Sequence, residues 1–467
     1  MADKTKSKPY ASSLKVKQIA IYKAGKDDKP YANLLAQVPM IQYHEDIMWP
    51  SYGATMTVVD NAKNLISSMP IQGYEKVVLE VEDIHNDTYE YTFRVWTVSN
   101  RLNADRKQVY TLGLIAQNGL VNEGLRVNKI FKGRTDEIVT AVMKEYLDSD
   151  VDTEESQTNM KILPTKKSPF SLIRSLQSKS VPKIDPEGQT SDDDDDDDSS
   201  NDDENVTSDV GTGDVEKATG SAGYLFFQTR TRYVFKSFDQ LCTIGEESIK
   251  GAFTYSPGKT DNKESTDKIQ EILFDQEINI MKKMREGAYS SICCFFNINT
   301  GTYTERVYSL ADSWDDMKHL GSTNGLPTGQ VKLSKYPTRV MSSVINHENW
   351  YTGTEPATGD SDIIDNQADY LSQSYARAGI MFNQQLTISL TGHLELSAGD
   401  KVVIMIPNQV PDSDRTKPDK NWDPEHSGIY LIKNINHQFH IIDQNVYTVL
   451  ELVRDSYGMI ESTVNTK

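Results

Sequence analysis

The sequence predicts a mainly β chain with an α+β middle region. Three observations carry this. Short runs rich in Val, Ile, Thr and Tyr dominate residues 14–115 and 380–455. Helical periodicity is confined to a few segments between them. The two β blocks also repeat one order of strand motifs. A chain of 467 residues exceeds one typical domain, so roughly three domains are expected.

The first block, residues 1–116, predicts strands over Ala54–Val59, Lys76–Val81, Tyr89–Val98 and Gln108–Leu114, with turn signals at Asn86-Asp87 and Asn103–Asp105. In the middle region, 117–250, Thr135 is placed to cap a helix. Its apolar side chains Ile138, Val139, Val142, Met143, Tyr146 and Leu147 recur at three- and four-residue spacings. Ser168-Pro169 starts a second helix with Phe170, Ile173 and Leu176 as its stripe. Residues 185–221 lose periodicity and include seven consecutive aspartates, Asp192–Asp198, so a disordered acidic loop is expected there. Tyr224–Phe227 should form a strand that hairpins through Arg230–Arg232 into Tyr233–Phe238.

Further on, Asp267–Arg285 predicts a helix presenting Ile269, Leu273, Ile280 and Met284 and stopping at Gly287. Tyr289–Asn297 and Thr302–Leu310 flank Asn299-Thr300-Gly301, a hairpin signal. A short helix near Asp369–Arg377 leads into the last β block, which the polar loop Pro407–Ser427 interrupts. A second β domain is therefore assembled from 251–310 and 378–455, with an irregular insertion at 311–377 and a polar tail at 456–467.

The two β blocks can be laid over one another. Glu75–Val78 matches Asp400–Val403, Met56–Val58 matches Leu386–Ile388, and Gln108–Leu112 matches Asn445–Val449, in the same order. Lys76 and Tyr110 are 34 residues apart and Lys401 and Tyr447 are 46 apart, a difference the loop 407–427 absorbs. β-rich segments share such pairs readily, but three blocks in one order favour a duplication.

Net charge is −19, yet residues 185–220 alone hold fifteen acidic side chains and one lysine, leaving −5 for the rest. That near-balanced remainder shows no basic stripe, so specific nucleic-acid binding is not expected. No apolar run approaches the ~20 residues of a membrane span, and Met1–Tyr10 lead into no apolar signal core. Three cysteines, Cys242, Cys293 and Cys294, form an odd set that reads as small buried fillers rather than a disulfide framework.

The repeat blocks with the hairpins between them, best over Tyr224–Leu310 and Ala378–Arg454, resemble the central baseplate hub proteins of T-even-like contractile-tailed bacteriophages, including marine relatives that infect cyanobacteria. The segments that carry the resemblance are Leu386–Thr391, Leu394–Leu396, Gly399–Val403, Ser427–Ile432 and Val446–Leu452. They look like the closing barrel of hub proteins and of related secretion-spike proteins. The resemblance implies two similar antiparallel, tube-like β-barrels per chain. It further implies a homotrimer whose six barrels form a ring between the tail tube and a central spike, beside other baseplate proteins, with DNA only in passage. Such a protein sits in the virion after assembly in the bacterial cytoplasm. The acidic insertion departs from the family.

Eight histidines include no HExxH pair. His437 and His440 stand three apart in an apparent strand, which sets them on opposite faces and prevents joint ligation. Gly258-Lys259-Thr260 resembles the end of a phosphate loop, but Phe253 occupies the position its first glycine needs, so a turn is expected. Asp192–Asp198 and Asp202–Glu204 lack the glycine and ligand spacing of a calcium loop. Cys293-Cys294 is flanked by Ile292, Phe295 and Phe296, which implies burial rather than nucleophilicity. No catalytic residue, metal or cofactor is expected. The rival functions are a tail-tip wall hydrolase, built on paired carboxylates, and a receptor-binding tail protein using Trp314, Trp350 and Trp422 in polar loops. Deleting 185–220 should leave the melting temperature unchanged, because a segment of net −14 without apolar periodicity gains nothing by burial; a collapsed melting temperature would contradict this.

Overall fold

The computed structural model describes residues 10–61, 71–104, 107–157, 159–183, 222–245, 248–255, 266–276, 279–297, 301–314, 317–322, 333–345, 366–408 and 422–458. The acidic segment, Gly258-Lys259-Thr260 and Trp350 lie outside them.

Alternating apolar residues build the first strand set: β1 (Lys15–Ile21), β2 (Ala32–Asn33), β3 (Met40–Asp46), β4 (Gly53–Asn61), β5 (Lys76–Glu82), β6 (Thr88–Ala104) and β7 (Lys107–Ile115). In β3 the inward positions are Ile41, Tyr43 and Glu45, and in β7 they are Tyr110, Leu112 and Leu114. The paired order is β3-β4-β7-β6-β5-β1-β2, around a core that includes Met56, Val58, Val77, Leu79, Tyr91 and Phe93.

The middle region follows with α1 (Gln117–Gly124), β8 (Phe131–Arg134), α2 (Thr135–Leu147), β9 (Val151–Thr153), β10 (Asn159–Ile162), α3 (Pro169–Gln177), β11 (Tyr224–Gln228), β12 (Tyr233–Ser237) and α4 (Phe238–Cys242). The apolar stripes of α2 and α3 share a core with Tyr224, Phe226, Tyr233 and Phe235 of the hairpin. Both helices and the hairpin lie where the periodicity puts them. Thr135, however, is the first helical residue, not the cap. Arg134 precedes it, with the Arg134 N–H donating to Glu137 at 3.1 Å, and the Thr135 hydroxyl is spent on Ser156 at 2.7 Å.

The rest of the chain comprises β13 (Ile249–Tyr255), β14 (Lys268–Ile269), β15 (Glu271–Gln276), α5 (Ile280–Glu286), β16 (Ser290–Asn297), β17 (Thr302–Ser309), α6 (Leu310–Ser313), β18 (Arg339–Ile345), α7 (Asn366–Met381), β19 (Gln384–Thr391), β20 (Lys401–Met405), β21 (Gly428–His440) and β22 (Asn445–Arg454). The segment Asp267–Arg285 is not the single helix expected from its spacing. Its first part is strand, because β14 pairs β13 and β15 pairs β19, with Ile272 opposite Ile388 and Phe274 opposite Leu386. Only Ile280–Glu286 is helical, and it ends at Gly287, whose φ of +74° suits glycine.

A second set runs β15-β19-β22-β21-β20-β13-β14. Its first six members match β3-β4-β7-β6-β5-β1 of the first set strand for strand. The match extends to irregularities: β6 bulges between Val95 and Thr97 against β7, and β21 bulges between Ile432 and Asn434 against β22. One difference is that β1 is antiparallel to β5, whereas β13 is parallel to β20. The paired strands leave both sets formally open. In the second, the gap between β14 and β15 is the single residue Gln270, whose N–H still donates to Ser389 at 2.9 Å.

The bulges fix the true register of the repeat. Val95 faces Leu114 and Ile432 faces Leu452, which equates Tyr110 with Thr448 rather than with Tyr447. Burial agrees, since Tyr110 and Thr448 are fully buried while Tyr447 is half exposed. Aligning the two tyrosines therefore slips the last strand by one residue and inverts its faces. Likewise Ala54 faces Leu114 as Leu386 faces Leu452, so Ala54 and not Met56 is the counterpart of Leu386.

Strands β16, β17 and β18 form a separate sheet, with β18 parallel to β16. The helix expected at Asp369–Arg377 is longer, Asn366–Met381, and packs against β16 and β17. It also carries Arg377, which is completely buried. The Arg377 guanidinium donates to Asp455 at 2.6 Å and to the Lys318 carbonyl at 2.6 Å, and lies 3.2 Å from Asp239. Asp455 also accepts from the Leu320 N–H and the Ser456 hydroxyl and meets His319 at 2.8 Å. Despite burial, the Arg377 and His319 partners hold its carboxyl below the usual carboxylate range. Asp455→Ala should therefore lower stability by about 3–5 kcal/mol, since it strands a buried guanidinium. Urea unfolding checks this, and a shift under about 1 kcal/mol would contradict it.

Candidate assembly surfaces

The two strand sets are joined by β21, which pairs β22 along one edge and, along the other, pairs β20 through its first residues and β3 through Asn434–His440. Phe439, Ile441 and Val446 from the second set lie in the core of the first, Phe439 edge-on to Tyr91 at 5.5 Å. His437 stacks on Tyr43 at 5.9 Å, and its Nδ1 meets the Thr448 hydroxyl at 2.9 Å. Burial pushes its basicity down to about 3, so the ring is neutral. His440 points to the other face and meets Tyr447 edge-on. The odd spacing thus separates the pair as the strand reading requires.

Glu45 closes the joint. Its side chain is buried, accepting from the Tyr43 hydroxyl at 2.6 Å, the Arg230 N–H at 2.7 Å and the Ala398 N–H at 2.8 Å. The three donors come from β3, from the turn between β11 and β12, and from the approach to β20. One carboxylate therefore ties the first set, the middle region and the second set. Loss of solvent raises its pKa to about 7, while the three donors oppose that rise. Sequence reasoning missed it. The available signal was an acid at the third inward position of the alternation Ile41, Tyr43, Glu45.

A second surface is the sheet of β16, β17 and β18. Cys293 and Phe295 are buried on the face that meets Leu371 of α7. The opposite face carries two apolar rows, Ile292 with Val307 and Val340, and Phe296 with Tyr303 and Val344. Five of these six are exposed large apolar side chains, and Val340 reaches 70% exposure. Contiguous exposed apolar faces of this kind are typical of interaction sites.

Two of the three cysteines are placed as fillers, Cys242 and Cys293, which are buried and whose thiols burial raises, whereas Cys294, its side chain on the other side of β16, is only partly buried. Trp314 is not on a polar loop as expected. It is buried against Ala288, Tyr289, Leu310 and Met317 and stacks on His319 at 4.1 Å. Trp422 is partly buried at a bridge to Pro407. No helix among the described residues is long and apolar enough to cross a membrane.

Because the Glu45 carboxyl binds protons more tightly folded than at its unfolded value of 4.5, its contribution is fully present below 4.5 and is lost as pH rises through about 7. The loss is about 3 kcal/mol. Glu45→Gln should lower stability at every pH and flatten that pH 4.5–7 dependence, read from melting temperatures; an unchanged slope would contradict it.

Neither a protein-family model nor a curated protein matches the chain. Among solved structures, it is similar to the 43 kDa tail protein of prophage MuSo2 from Shewanella oneidensis (TM-score 0.50, 10% identity), covering 94% of this chain and 98% of that one. A tail protein from Neisseria meningitidis MC58 aligns at a TM-score of 0.49 and 9% identity, over 95% and 97% of the two chains. An Escherichia coli type VI secretion component described as similar to T4 tail proteins gp27 and gp5 aligns at 0.40 and 9%, over 95% and 78%. At these identities the likeness is one of fold: the chain shares its fold with the Shewanella prophage tail protein.

Proposed function

We propose that the chain is a non-enzymatic structural hub of a phage-type tail baseplate, and that it works as a homotrimer. Each strand set is a small tube-like barrel, and two barrels per chain alternate around the axis to give a ring with a pseudo-six-fold layer. The observation that carries this reading is the duplicated connectivity of β3-β4-β7-β6-β5-β1 and β15-β19-β22-β21-β20-β13, down to the matching bulges beside Val95 and Ile432. Two like units in one chain occupy equivalent positions around an axis only when the subunits close into a ring.

Six near-equivalent barrels suit a six-fold tube neighbour. The unlike middle region, with the apolar face of β16, β17 and β18, stays three-fold and suits the central spike or other baseplate proteins. A body carrying only −5 outside the acidic segment suits a channel wall past which DNA slides, because dense phosphate contacts would arrest it. The fold shared with a prophage tail protein supports a place in the virion. The mass of the purified protein in solution tests the assembly. The reading expects three times the chain mass at micromolar concentration; a stable monomer would contradict it.

A further inference from the structure

A cavity of about 590 Å³ opens where the hairpin of β11 and β12, the segment between α4 and β13, and the approach to β20 come together. It borders the Glu45 joint, because Ala398 lines it and donates its N–H to that carboxylate. Phe227, Val234 and Leu241 give it an apolar wall, and all three are buried. Gly399 lets the Phe227 ring come close: its φ is +88°, and a Cβ there would stand 2.7 Å from that ring. Four cations, Arg232, Lys236, Lys250 and Lys401, line the same cavity against two carboxylates, Glu395 and Asp400. Its volume suits a small organic molecule.

The carboxylates of this lining are already engaged. Asp400 accepts from the Ser397 N–H at 2.9 Å, and Glu395 meets His393 at 2.8 Å. Asp152, which does not line the cavity, holds Arg232 at 3.0 Å and Lys236 at 2.9 Å. Lys250 and Lys401 have no ion pair among the described residues. Lys401 is only 7% exposed, and its ammonium has one partner there, the Leu241 carbonyl at 2.9 Å. An ammonium carries three donors and is costly to bury without an anion. The first strand set offers an internal comparison. Lys76 faces Arg94 as Lys401 faces Leu431, and these partners precede Val95 and Ile432 at the two bulges, so the lysines are equivalent. Lys76 is half-buried and lies over the Tyr22 ring at 5.3 Å. A strand set of this kind therefore does not need a buried lysine at that position; the second set brings one to a cavity.

We infer that this cavity binds a small molecule carrying a phosphate group on an apolar body, with Lys401 and Lys250 holding the phosphate and Phe227, Val234 and Leu241 meeting the body. A phosphate ester, close to doubly charged at neutral pH, matches two unpaired ammoniums better than a single carboxylate does. Bound there, it bridges the middle region and the second strand set. Titration calorimetry of the full chain with phenyl phosphate, at an ionic strength held constant with sodium chloride, tests this. Phenyl phosphate should bind and benzyl alcohol should not. Inorganic phosphate should bind about tenfold more weakly, for want of the apolar body. Lys401→Met removes the charge and keeps most of the stem, and should weaken phenyl phosphate binding by about tenfold or more. Lys250→Ala, at an exposed position, should weaken it several-fold, and Lys76→Met, the equivalent change in the first set, should leave it unchanged. Absence of binding by phenyl phosphate, or parent-like binding by Lys401→Met, would overturn the site. Were Lys401→Met not to fold, parent-like binding by Lys250→Ala would overturn it instead. Inorganic phosphate binding as tightly as phenyl phosphate would overturn the apolar body, and benzyl alcohol doing so would overturn the phosphate.

Discussion

One buried carboxylate fixes how the parts of this chain sit together. Glu45 has given up water for three donors, and no two of them come from the same part of the chain. A buried carboxylate is costly unless its lone pairs are met, so the Arg230 turn and the Ala398 approach must both be in place. The β21 ladder on β3 supplies the rigid frame that holds them there. Tyr43 bridges the two: its ring packs on His437 of β21 and its hydroxyl donates to Glu45. The orientation of one strand set against the other is thereby set by hydrogen-bond geometry as well as by apolar packing, which alone would tolerate sliding.

That fixed orientation is what makes the duplication useful. Two copies of a strand set joined by a loose linker could take many relative positions, and a ring needs one. The bulges beside Val95 and Ile432 act alike in the two copies, each adding a residue that sharpens strand twist at the same point. Beyond the bulge, β21 turns its free edge to β3 and β6 turns the corresponding edge outward. The Arg377 and Asp455 cluster performs a related task elsewhere, binding α7, the segment around Lys318 and the end of β22 through a charge pair with no exposure at all.

Much of the fold is legible in the sequence because strand and helix periods are local. The alternation in β4 to β7, the stripes of α2 and α3, and the hairpin at Arg230–Arg232 all follow from residue spacing. The segment 267–276 is not legible in that way. Ile269 and Leu273 stand four apart, which suits a helix, but their neighbours are β13 and β19, distant in sequence, and the ladder overrides the local preference. The repeat was legible in order but not in register: Val-Tyr-Thr occurs in both last strands, and only the bulges reveal that the two tyrosines face opposite ways. Trp314 looked exposed because its neighbours are polar, whereas its partners come from elsewhere in the chain. Glu45 was silent because nothing in a sequence gathers donors from residues 43, 230 and 398 onto one oxygen pair.

The central claim is that the two strand sets occupy near-equivalent places around one axis. Class averages of the purified particle viewed down that axis test it most directly. The account predicts three-fold symmetry overall with six-fold modulation confined to the layer of strand sets. A ring whose strand layer shows three lobes and no six-fold component would contradict it.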